Sequence, residues 1–298
     1  MNVLVTGAGG FAGGHLMTHL AARKGLRVFG AVHADGDLRK PSAAARVIRR
    51  SRPARIFHLA GISSGAAAWR DPGAAFAVNA MGTWNLLESV RLLGLRPRVL
   101  IASSAEVYGA VPKAHQPAGE DQPVNPISPY GLSKAAGELA ARRFLAMGFG
   151  VVIARAFNHT GPGQRPAFAA SSFARQIALI EAGRHEPVLG VGNLDAVRDY
   201  TDARDVVRAY ALVLDKAEPG FVYNICSGRG LRIGQVLEIL LSLSGARVRV
   251  RRDRALFRPA DIPAQVGSPA RIRALGWRPE ITLKKSLKDL LDYWRENI

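Results

Sequence analysis

Near its start the chain reads Asn2-Val3-Leu4-Val5-Thr6-Gly7-Ala8-Gly9-Gly10-Phe11-Ala12-Gly13. The apolar first half of this stretch predicts a short buried strand, and apolar Phe11, Leu16 and Leu20 predict a helix after the glycines. A strand, a glycine-rich turn and a helix in this order are the context in which a glycine motif binds a dinucleotide. Backbone N–H groups at the helix start can bind a pyrophosphate, and glycine lets that group approach closely. The stretch therefore predicts a nucleotide-binding α/β fold.

The kind of dinucleotide is indicated by the strand that follows, Arg27 to Val32. An acidic side chain at its end would bind the 2′-hydroxyl of the adenosine ribose and favour NAD. No acid occurs there before Asp35, and His33 and Arg39 lie nearby, so we expect NADPH, with NADH as the alternative. The glycine spacing is Gly-x-x-Gly-x-x-Gly, and the residues expected to contact the cofactor in this turn are Gly7, Gly10, Phe11, Ala12 and Gly13.

Strands and helices alternate through the first half of the chain. Ile56 to Gly61, Val99 to Ser104 and Val151 to Ala154 are predicted to be buried strands. This alternation predicts an α/β fold with a doubly wound parallel sheet, which binds ligands at the carboxyl ends of its strands. Asn79 lies within a long helical pattern, Asp71 to Gly94, as either a polar surface residue or a support for the active-site strands. Further cofactor contacts are expected from His33, Asp37, Leu38, Leu59, Ala60 and Gly61.

A second motif, Ser128-Pro129-Tyr130-Gly131-Leu132-Ser133-Lys134, follows a proline-containing loop. Ser128 and Pro129 are typical of a helix start, and the spacing puts Tyr130 and Lys134 about one turn apart on one helix face. An ammonium group near a phenol favours the phenolate, so it lowers the phenol pKa from about 10 and allows proton exchange with a reacting oxygen. With Ser104 at the end of the preceding strand, the motif predicts nucleotide-dependent carbonyl chemistry.

From Phe157 onward the pattern changes. A loop rich in glycine, proline and arginine is followed by a predicted helix at 167–183 and a predicted strand pair at 187–201. A helix at 203–215 and another sheet strand at 221–225 are also predicted. Valine and arginine alternate from Arg247 to Arg252, as on a half-exposed strand.

Composition narrows the function classes. A chain of 298 residues with 48% hydrophobic content can form one large domain and a smaller appended one. The formal net charge is +18, but only eight of the 41 basic residues are lysine and the arginines are scattered. We therefore expect no nucleic-acid partner, and attraction of an anionic nucleotide substrate instead. With one cysteine, Cys226, and no apolar run near the ~18 residues of a membrane span, we expect a cytoplasmic protein with no membrane partner. We assign no metal site.

The chain resembles the extended short-chain dehydrogenase/reductases that act on nucleotide-activated sugars. The matching residues are Gly7, Gly10, Gly13, Ser104 with Tyr108, Tyr130 with Lys134, and Arg155 to Gln164. It is most similar to the reductases of GDP-4-dehydro-6-deoxy-D-mannose, through Phe157 to Gln164, Val191 to Asp202 and Phe221 to Gly228. The resemblance implies a Rossmann domain at 1–157, to which about 200–225 return. It also implies a nucleotide-sugar-binding domain at 158–199 and 226–298.

The resemblance also implies a reaction: reduction of the C4 keto group of GDP-4-dehydro-6-deoxy-D-mannose to GDP-D-rhamnose. Tyr130 would protonate the oxygen, Ser104 would polarise the ketone, and Lys134 would bind the nicotinamide ribose. Phe157 is implied as a cofactor contact, Arg198 and Arg258 as ligands of the diphosphate, and Asp261 as a ligand of the GDP ribose. The full set of implied substrate contacts is Ser63, Ser104, Glu106, Tyr130, Asn158, Arg198, Arg258 and Asp261.

One departure from the related dehydratases favours the reductase. Those enzymes carry an acidic element such as Thr-Asp-Glu after the fourth strand, and here the run is Ser104-Ala105-Glu106. Because Ala105 cannot exchange a proton, the loss of water is less well supported. A GDP-mannose 4,6-dehydratase or another nucleotide-sugar epimerase of the same fold is the alternative, and a non-catalytic dinucleotide sensor is a remote one. The sequence leaves open D-rhamnose or 6-deoxy-D-talose as product. Long helices at 74–93 and 128–147 suggest a homodimer.

Overall fold

A six-stranded β-sheet forms the centre of the fold in the computed structural model, which describes residues 1–257 and 262–298. Its strands and those of two smaller sheets are β1 (Asn2–Thr6), β2 (Arg27–Ala31), β3 (Arg55–His58), β4 (Arg98–Ser104), β5 (Val151–Ala156), β6 (Asn158–Thr160), β7 (Val188–Val191), β8 (Val197–Asp202), β9 (Val222–Ile225), β10 (Gly230–Arg232), β11 (Arg249–Arg252) and β12 (Ala264–Gln265). The α-helices of the described ranges are α1 (Phe11–Ala21), α2 (Pro41–Ser51), α3 (Gly65–Arg70), α4 (Pro72–Phe76), α5 (Gly82–Leu92), α6 (Pro129–Leu145), α7 (Ala169–Glu181), α8 (Ala203–Lys216), α9 (Ile233–Ser242), α10 (Ala270–Ala274) and α11 (Leu283–Glu296). A π-helical turn, Ala77–Met81, joins α4 to α5.

The central sheet has the strand order β2-β1-β3-β4-β5-β9, and every pair in it is parallel. The chain leaves β1 towards β2 on one side and then crosses to β3 on the other, so the direction of winding reverses at β1. In an open parallel sheet such a reversal leaves a crevice at the carboxyl ends of the strands, where ligands bind. The predicted doubly wound, Rossmann-type α/β fold is confirmed.

Helices cover both faces of this sheet, which is why its strands are apolar on both sides. Helices α1 and α8 pack on one face through Leu16, Leu20 and Val206. On the opposite face α2, α5 and α6 contribute Ile48, Leu87 and Phe144. None of the helices within residues 1–257 and 262–298 is long and apolar enough to cross a membrane.

A separate apolar cluster lies in the second half of the chain. Helices α7, α9 and α11 pack against β7 through Phe173, Leu189, Leu237 and Leu290. Strand β8 pairs with β6, β10 and β12, whereas β7 pairs with β11. The expectation of a strand pair at 187–201 is therefore wrong, since the two strands there belong to different sheets. The predicted domain boundaries stay a prediction.

A buried ion pair joins helix α6 to the central sheet. Arg155 on β5 donates from Nη2 to Glu138 Oε2 at 2.7 Å and from Nε to Glu138 Oε1 at 2.9 Å. Ser103 Oγ on β4 donates to the same Oε1 at 2.6 Å, and the two charged side chains are 1% and 3% exposed. The Arg155 guanidinium also lies over the ring of Tyr108, 4.7 Å from its centroid. The pair fixes α6 against the strand that ends in Ser104.

Candidate active site

A cavity of about 1390 Å³ opens at the carboxyl ends of the central strands. Its wall includes the glycine turn, the ends of β3 and β4, the start of α6, and residues of β6, β8 and β12. The structure thus brings together every predicted site residue that it describes: Gly7, Gly10, Phe11, Ala12, Gly13, His33, Asp37, Leu38, Leu59, Ala60, Gly61, Ser63, Ser104, Glu106, Tyr130, Lys134, Phe157, Asn158 and Arg198. Predicted residues Arg258 and Asp261 lie outside the described residues.

The glycine turn offers the donors that a pyrophosphate needs. Helix α1 begins at Phe11, and no side chain of the described residues caps its Gly10 end. The first turn carries no acid, so the positive end of the helix dipole is not neutralised there. The residues of this turn form part of the cavity wall, where their N–H groups can bind an anion. Gly13 packs directly against the backbone of Gly7, since a Cβ on Gly13 would lie 2.0 Å from Gly7 O. Gly7 itself has φ +73°, a conformation that favours glycine. These residues fit the pyrophosphate of a dinucleotide.

We expect Gly13→Ala to lower the free energy of unfolding by about 1–3 kcal/mol and to weaken dinucleotide binding, because the added Cβ must displace backbone. Gly14→Ala is the matched control, since a Cβ at Gly14 has nothing within 4 Å. In a helix that change stabilises by roughly 0.5–1 kcal/mol. Urea unfolding and cofactor titration of the two variants measure both effects. Equal stability of the two variants would contradict the packing described for the turn.

At the far end of the cavity both nearby acids are held by arginine. Asp35 accepts a hydrogen bond from Val32 N at 2.9 Å and pairs with Arg50 Nη1 at 2.8 Å. Asp37 accepts from Arg39 N at 2.9 Å and from Arg39 Nε at 2.8 Å, and these bonds lower the Asp37 pKa to about 2. His33 and Arg39 line the cavity beside them. This end is therefore suited to an extra anionic group.

Helix α6 places the tyrosine and the lysine at the cavity. Ser128 Oγ accepts from Gly131 N at 3.0 Å as the helix cap and donates to Glu106 Oε2 at 2.6 Å. Tyr130 and Ser104 are each 9% exposed, and the Ser104 hydroxyl interacts with the Tyr130 side chain. Lys134 Nζ donates to the carbonyl of Ala102 at 2.8 Å. The three groups face one part of the cavity, at the end of β4.

The protonation of this pair differs from the prediction. Burial raises the Tyr130 pKa, the Glu106 charge raises it further, and the hydrogen bond with Ser104 lowers it. Burial lowers the Lys134 pKa to about 8. The Lys134 ammonium donates to Ala102 O. The Tyr130 phenol is therefore a protonated donor in this arrangement, with its pKa raised rather than lowered. Its acidification by Lys134 stays a prediction.

A buried hydrogen-bond chain supports the site from behind. Thr83 Oγ1 donates to Asn79 O at 2.7 Å, so it can only accept from His58 Nε2, 3.0 Å away. His58 Nδ1 then accepts from Thr6 Oγ1 at 2.7 Å. The Asn79 amide donates to Ser133 Oγ at 2.8 Å, one residue from Lys134. Asn79 was expected to be either a polar surface residue or a support for the active-site strands, and its buried hydrogen bonds favour the support. The sequence analysis missed His58, although a histidine within a buried strand always requires partners.

His58 is expected to make stability fall in acid. Burial and the Lys134 charge lower its pKa from 6.5 to about 3, so below 6.5 only the unfolded chain takes up the proton. Between about pH 7 and about pH 5 this costs about 2 kcal/mol of unfolding free energy. His58→Gln should lose that part of the pH dependence, and the exposed His185→Gln should keep it. Urea unfolding at both pH values tests this, and an unchanged pH dependence in His58→Gln would contradict it.

The other end of the cavity carries the predicted substrate residues. Arg198 Nη1 donates to Val197 O at 2.8 Å and to Ile262 O at 2.7 Å, which holds the guanidinium at the wall. Asn158 begins β6 beside it, as Asn158 is paired with Tyr200 of β8. The sequence analysis missed His159, whose ring stacks on Phe11 with centroids 5.9 Å apart and also lines the cavity. The stack joins the glycine turn to the substrate end.

The sequence profile of the GDP-mannose 4,6 dehydratase family matches residues 31–290. This chain belongs to that family. It is 37% identical over 298 residues to GDP-6-deoxy-D-mannose reductase of Pseudomonas aeruginosa, and the alignment covers 99% of this chain and 98% of the relative. GDP-6-deoxy-D-talose 4-dehydrogenase of Aggregatibacter actinomycetemcomitans is 29% identical over 91% of this chain and 90% of the relative. The structure of RMD from Pseudomonas aeruginosa complexed with NADPH has a TM-score of 0.92, 36% identity and complete coverage of both chains. The Pseudomonas aeruginosa structure thus shares the fold described above.

Proposed function

We propose that this protein uses NADPH to reduce the C4 keto group of GDP-4-dehydro-6-deoxy-D-mannose to GDP-D-rhamnose. The observation that carries the proposal is the meeting of Ser104, Tyr130 and Lys134 in one cavity with the glycine turn. The reductase and the NADPH complex from Pseudomonas aeruginosa support the same reading, because they match this chain along its whole length.

The residues divide the chemistry between them. When bound, NADPH supplies a hydride to the C4 carbonyl carbon. Tyr130, kept protonated by burial, donates its proton to the carbonyl oxygen as charge develops there. Ser104 donates a second hydrogen bond to that oxygen and stabilises the same charge. Lys134 binds the hydroxyls of the nicotinamide ribose and keeps a positive charge beside the phenol.

The run after β4 favours reduction over dehydration. Ala105 is buried and has no proton to exchange, whereas a dehydratase needs an acid and a base beside the redox step. Glu106 lies in the cavity wall but accepts from Ser128 Oγ, so we assign it to orientation of the sugar. The second candidate is a GDP-mannose 4,6-dehydratase, which the family match favours.

The two ends of the cavity carry the binding roles. His33 and Arg39 would hold the 2′-phosphate of NADPH. The two nearby acids, Asp35 and Asp37, are each paired with an arginine, so neither offers an unpaired carboxylate to the ribose. NADH would bind more weakly there. Arg198 and Asn158 would hold the substrate diphosphate and sugar, and Ser63 lines the same cavity. The roles of Arg258 and Asp261 stay predictions from the sequence, as does the cytoplasmic location.

A homodimer is part of the proposal. Helices α5 and α6 and the π turn expose apolar side chains to solvent, including Met81, Trp84, Leu132 and Leu139, the last of which is 68% exposed. Such an apolar face on two adjacent helices suits a second copy of the chain. Leu139→Glu should convert the dimer to monomer in a sedimentation experiment, and a monomeric wild type at micromolar concentration would contradict the assignment.

The experiment for the function follows NADPH absorbance with GDP-4-dehydro-6-deoxy-D-mannose as substrate. The proposal expects one NADPH consumed per sugar, with the sugar NMR spectrum of the product showing D-rhamnose rather than 6-deoxy-D-talose. Conversion of GDP-mannose without net loss of NADPH would assign the protein to the dehydratases instead.

A further inference from the structure

One tyrosine that lines the cavity takes no part in the proposed reaction. Tyr210 lies on α8, is 2% exposed and forms part of the cavity wall. Its hydroxyl forms no hydrogen bond with any described residue. The buried polar atoms without a partner in residues 1–257 and 262–298 that protein encloses completely are Thr201 Oγ1 and Gln265 Nε2. The Tyr210 hydroxyl is not enclosed in this way. It therefore reaches the cavity.

A buried phenol normally has a partner. Tyr108 provides the comparison: it is 3% exposed, and its hydroxyl donates to Asn224 Oδ1 at 2.7 Å. An unpartnered hydroxyl in such surroundings costs stability, which evolution tolerates where a ligand completes the bond. Burial raises the Tyr210 pKa, so the phenol is protonated and available as a donor.

The position of Tyr210 identifies the part of the cavity that it serves. Its helix packs on β4 and β5 from one face of the sheet, through the cluster that contains Ala154 and Ala156. Tyr130 comes from α6 on the opposite face, and Ala156, which belongs to the Tyr210 cluster, is the register partner of Ser104 at the end of β4. The ring that donates the hydride must lie beside Tyr130, which protonates the reacting oxygen. Tyr210 is thus directed at the nicotinamide end.

We propose that the Tyr210 hydroxyl donates a hydrogen bond to the carboxamide oxygen of the nicotinamide, an inference that rests on the proposed function. The carboxamide is the neutral acceptor that the ring carries, and a single neutral donor matches it. Phosphate groups instead use the helix N-terminus and the arginines already described. Tyr210 is therefore a cofactor-binding residue that fixes which face of the ring is presented to the substrate.

The test compares Tyr210→Phe with Tyr108→Phe, each of which removes one hydroxyl. Tyr210→Phe should leave Tm equal to or above that of wild type, since no bond within the protein is lost, and should raise the NADPH Kd about 3- to 10-fold. Tyr108→Phe should do the reverse: it leaves Asn224 without its donor, lowers Tm by about 2–4 °C and leaves the NADPH Kd unchanged. Thermal unfolding and NADPH fluorescence titration measure both quantities.

A second ligand locates the contact on the cofactor. 2′-Phospho-ADP-ribose has the adenine and pyrophosphate ends of NADPH but no nicotinamide, so Tyr210→Phe should bind it as tightly as wild type does. Equal loss of affinity for both ligands would overturn the inference and place the hydroxyl at the pyrophosphate. Unchanged NADPH affinity in Tyr210→Phe, with wild type binding NADPH, would overturn the inference alone. A wild type that does not bind NADPH would overturn the proposed function as well.

Discussion

Tyr130→Phe is expected to lower kcat for reduction of the keto-sugar by about 10²–10⁴-fold, the usual contribution of a positioned general acid. The variant keeps the ring that packs near α3 and α4 and loses the one hydroxyl that can protonate the oxygen. Burial keeps this phenol protonated at neutral pH, so the wild type has the proton available for the reacting oxygen. Substrate KM should change little, since the lost interaction strengthens only as charge develops on the oxygen.

Steady-state kinetics under NADPH saturation measure this effect. Tyr293→Phe is the control, because Tyr293 lies on α11 away from the cavity and should retain wild-type kcat. A Tyr130→Phe variant with wild-type kcat and unchanged Tm would remove Tyr130 from the mechanism.

The second large effect concerns stability. Glu138→Leu should lower the free energy of unfolding by about 3–5 kcal/mol, because it leaves the Arg155 guanidinium buried without its charge partner. Ser103, which lies next to Ser104 in β4, would also lose the acceptor of its hydroxyl. The double variant Glu138→Leu with Arg155→Met should recover most of the loss, since an apolar pair of similar volume is often nearly neutral.

Glu88→Gln on α5 is the matched surface control. Its carboxylate pairs with Arg91 at 2.6 Å, but both side chains are partly exposed to water, so the loss should stay within about 0–1 kcal/mol. Urea unfolding of the three variants measures their free energies of unfolding and ranks them by stability. A Glu138→Leu variant no less stable than Glu88→Gln would contradict the role given to the buried pair.

The part of the site that follows from local spacing could be predicted from sequence. The glycine turn and the four-residue spacing of Tyr130 and Lys134 encode their own geometry, because a helix start or one helix face brings those residues together. Their electrostatics could not be predicted in the same way. The pKa of Tyr130 depends on burial and on Glu106 from a different loop, and the Lys134 ammonium is held by Ala102 O. These contacts exist only after the sheet and α6 have packed.

Features that depend on packing between distant parts of the chain were the hardest to predict from the sequence. The predicted helix from Asp71 to Gly94 is interrupted by the π turn that carries Asn79, and no periodicity marks a single widened turn. Strand β12 has two residues, too few for a pattern, yet it pairs with β8 beside Arg198. Residues Arg249–Arg252, expected as a half-exposed strand, are all exposed, because β11 packs only along its edge against β7. Tyr210 was missed because no motif in the sequence of α8 marks which of its side chains reaches the cavity.

In the proposed reaction, hydride leaves the cofactor and stays on C4 of the sugar. The most direct measurement is a single-turnover reaction with NADPH carrying deuterium on the transferred position, followed by mass and NMR analysis of the GDP-sugar. We expect product that is one mass unit heavier, with deuterium on C4 and one NADP⁺ formed for each sugar. Unlabelled product, or label that returns to the cofactor while GDP-mannose loses water, would contradict it.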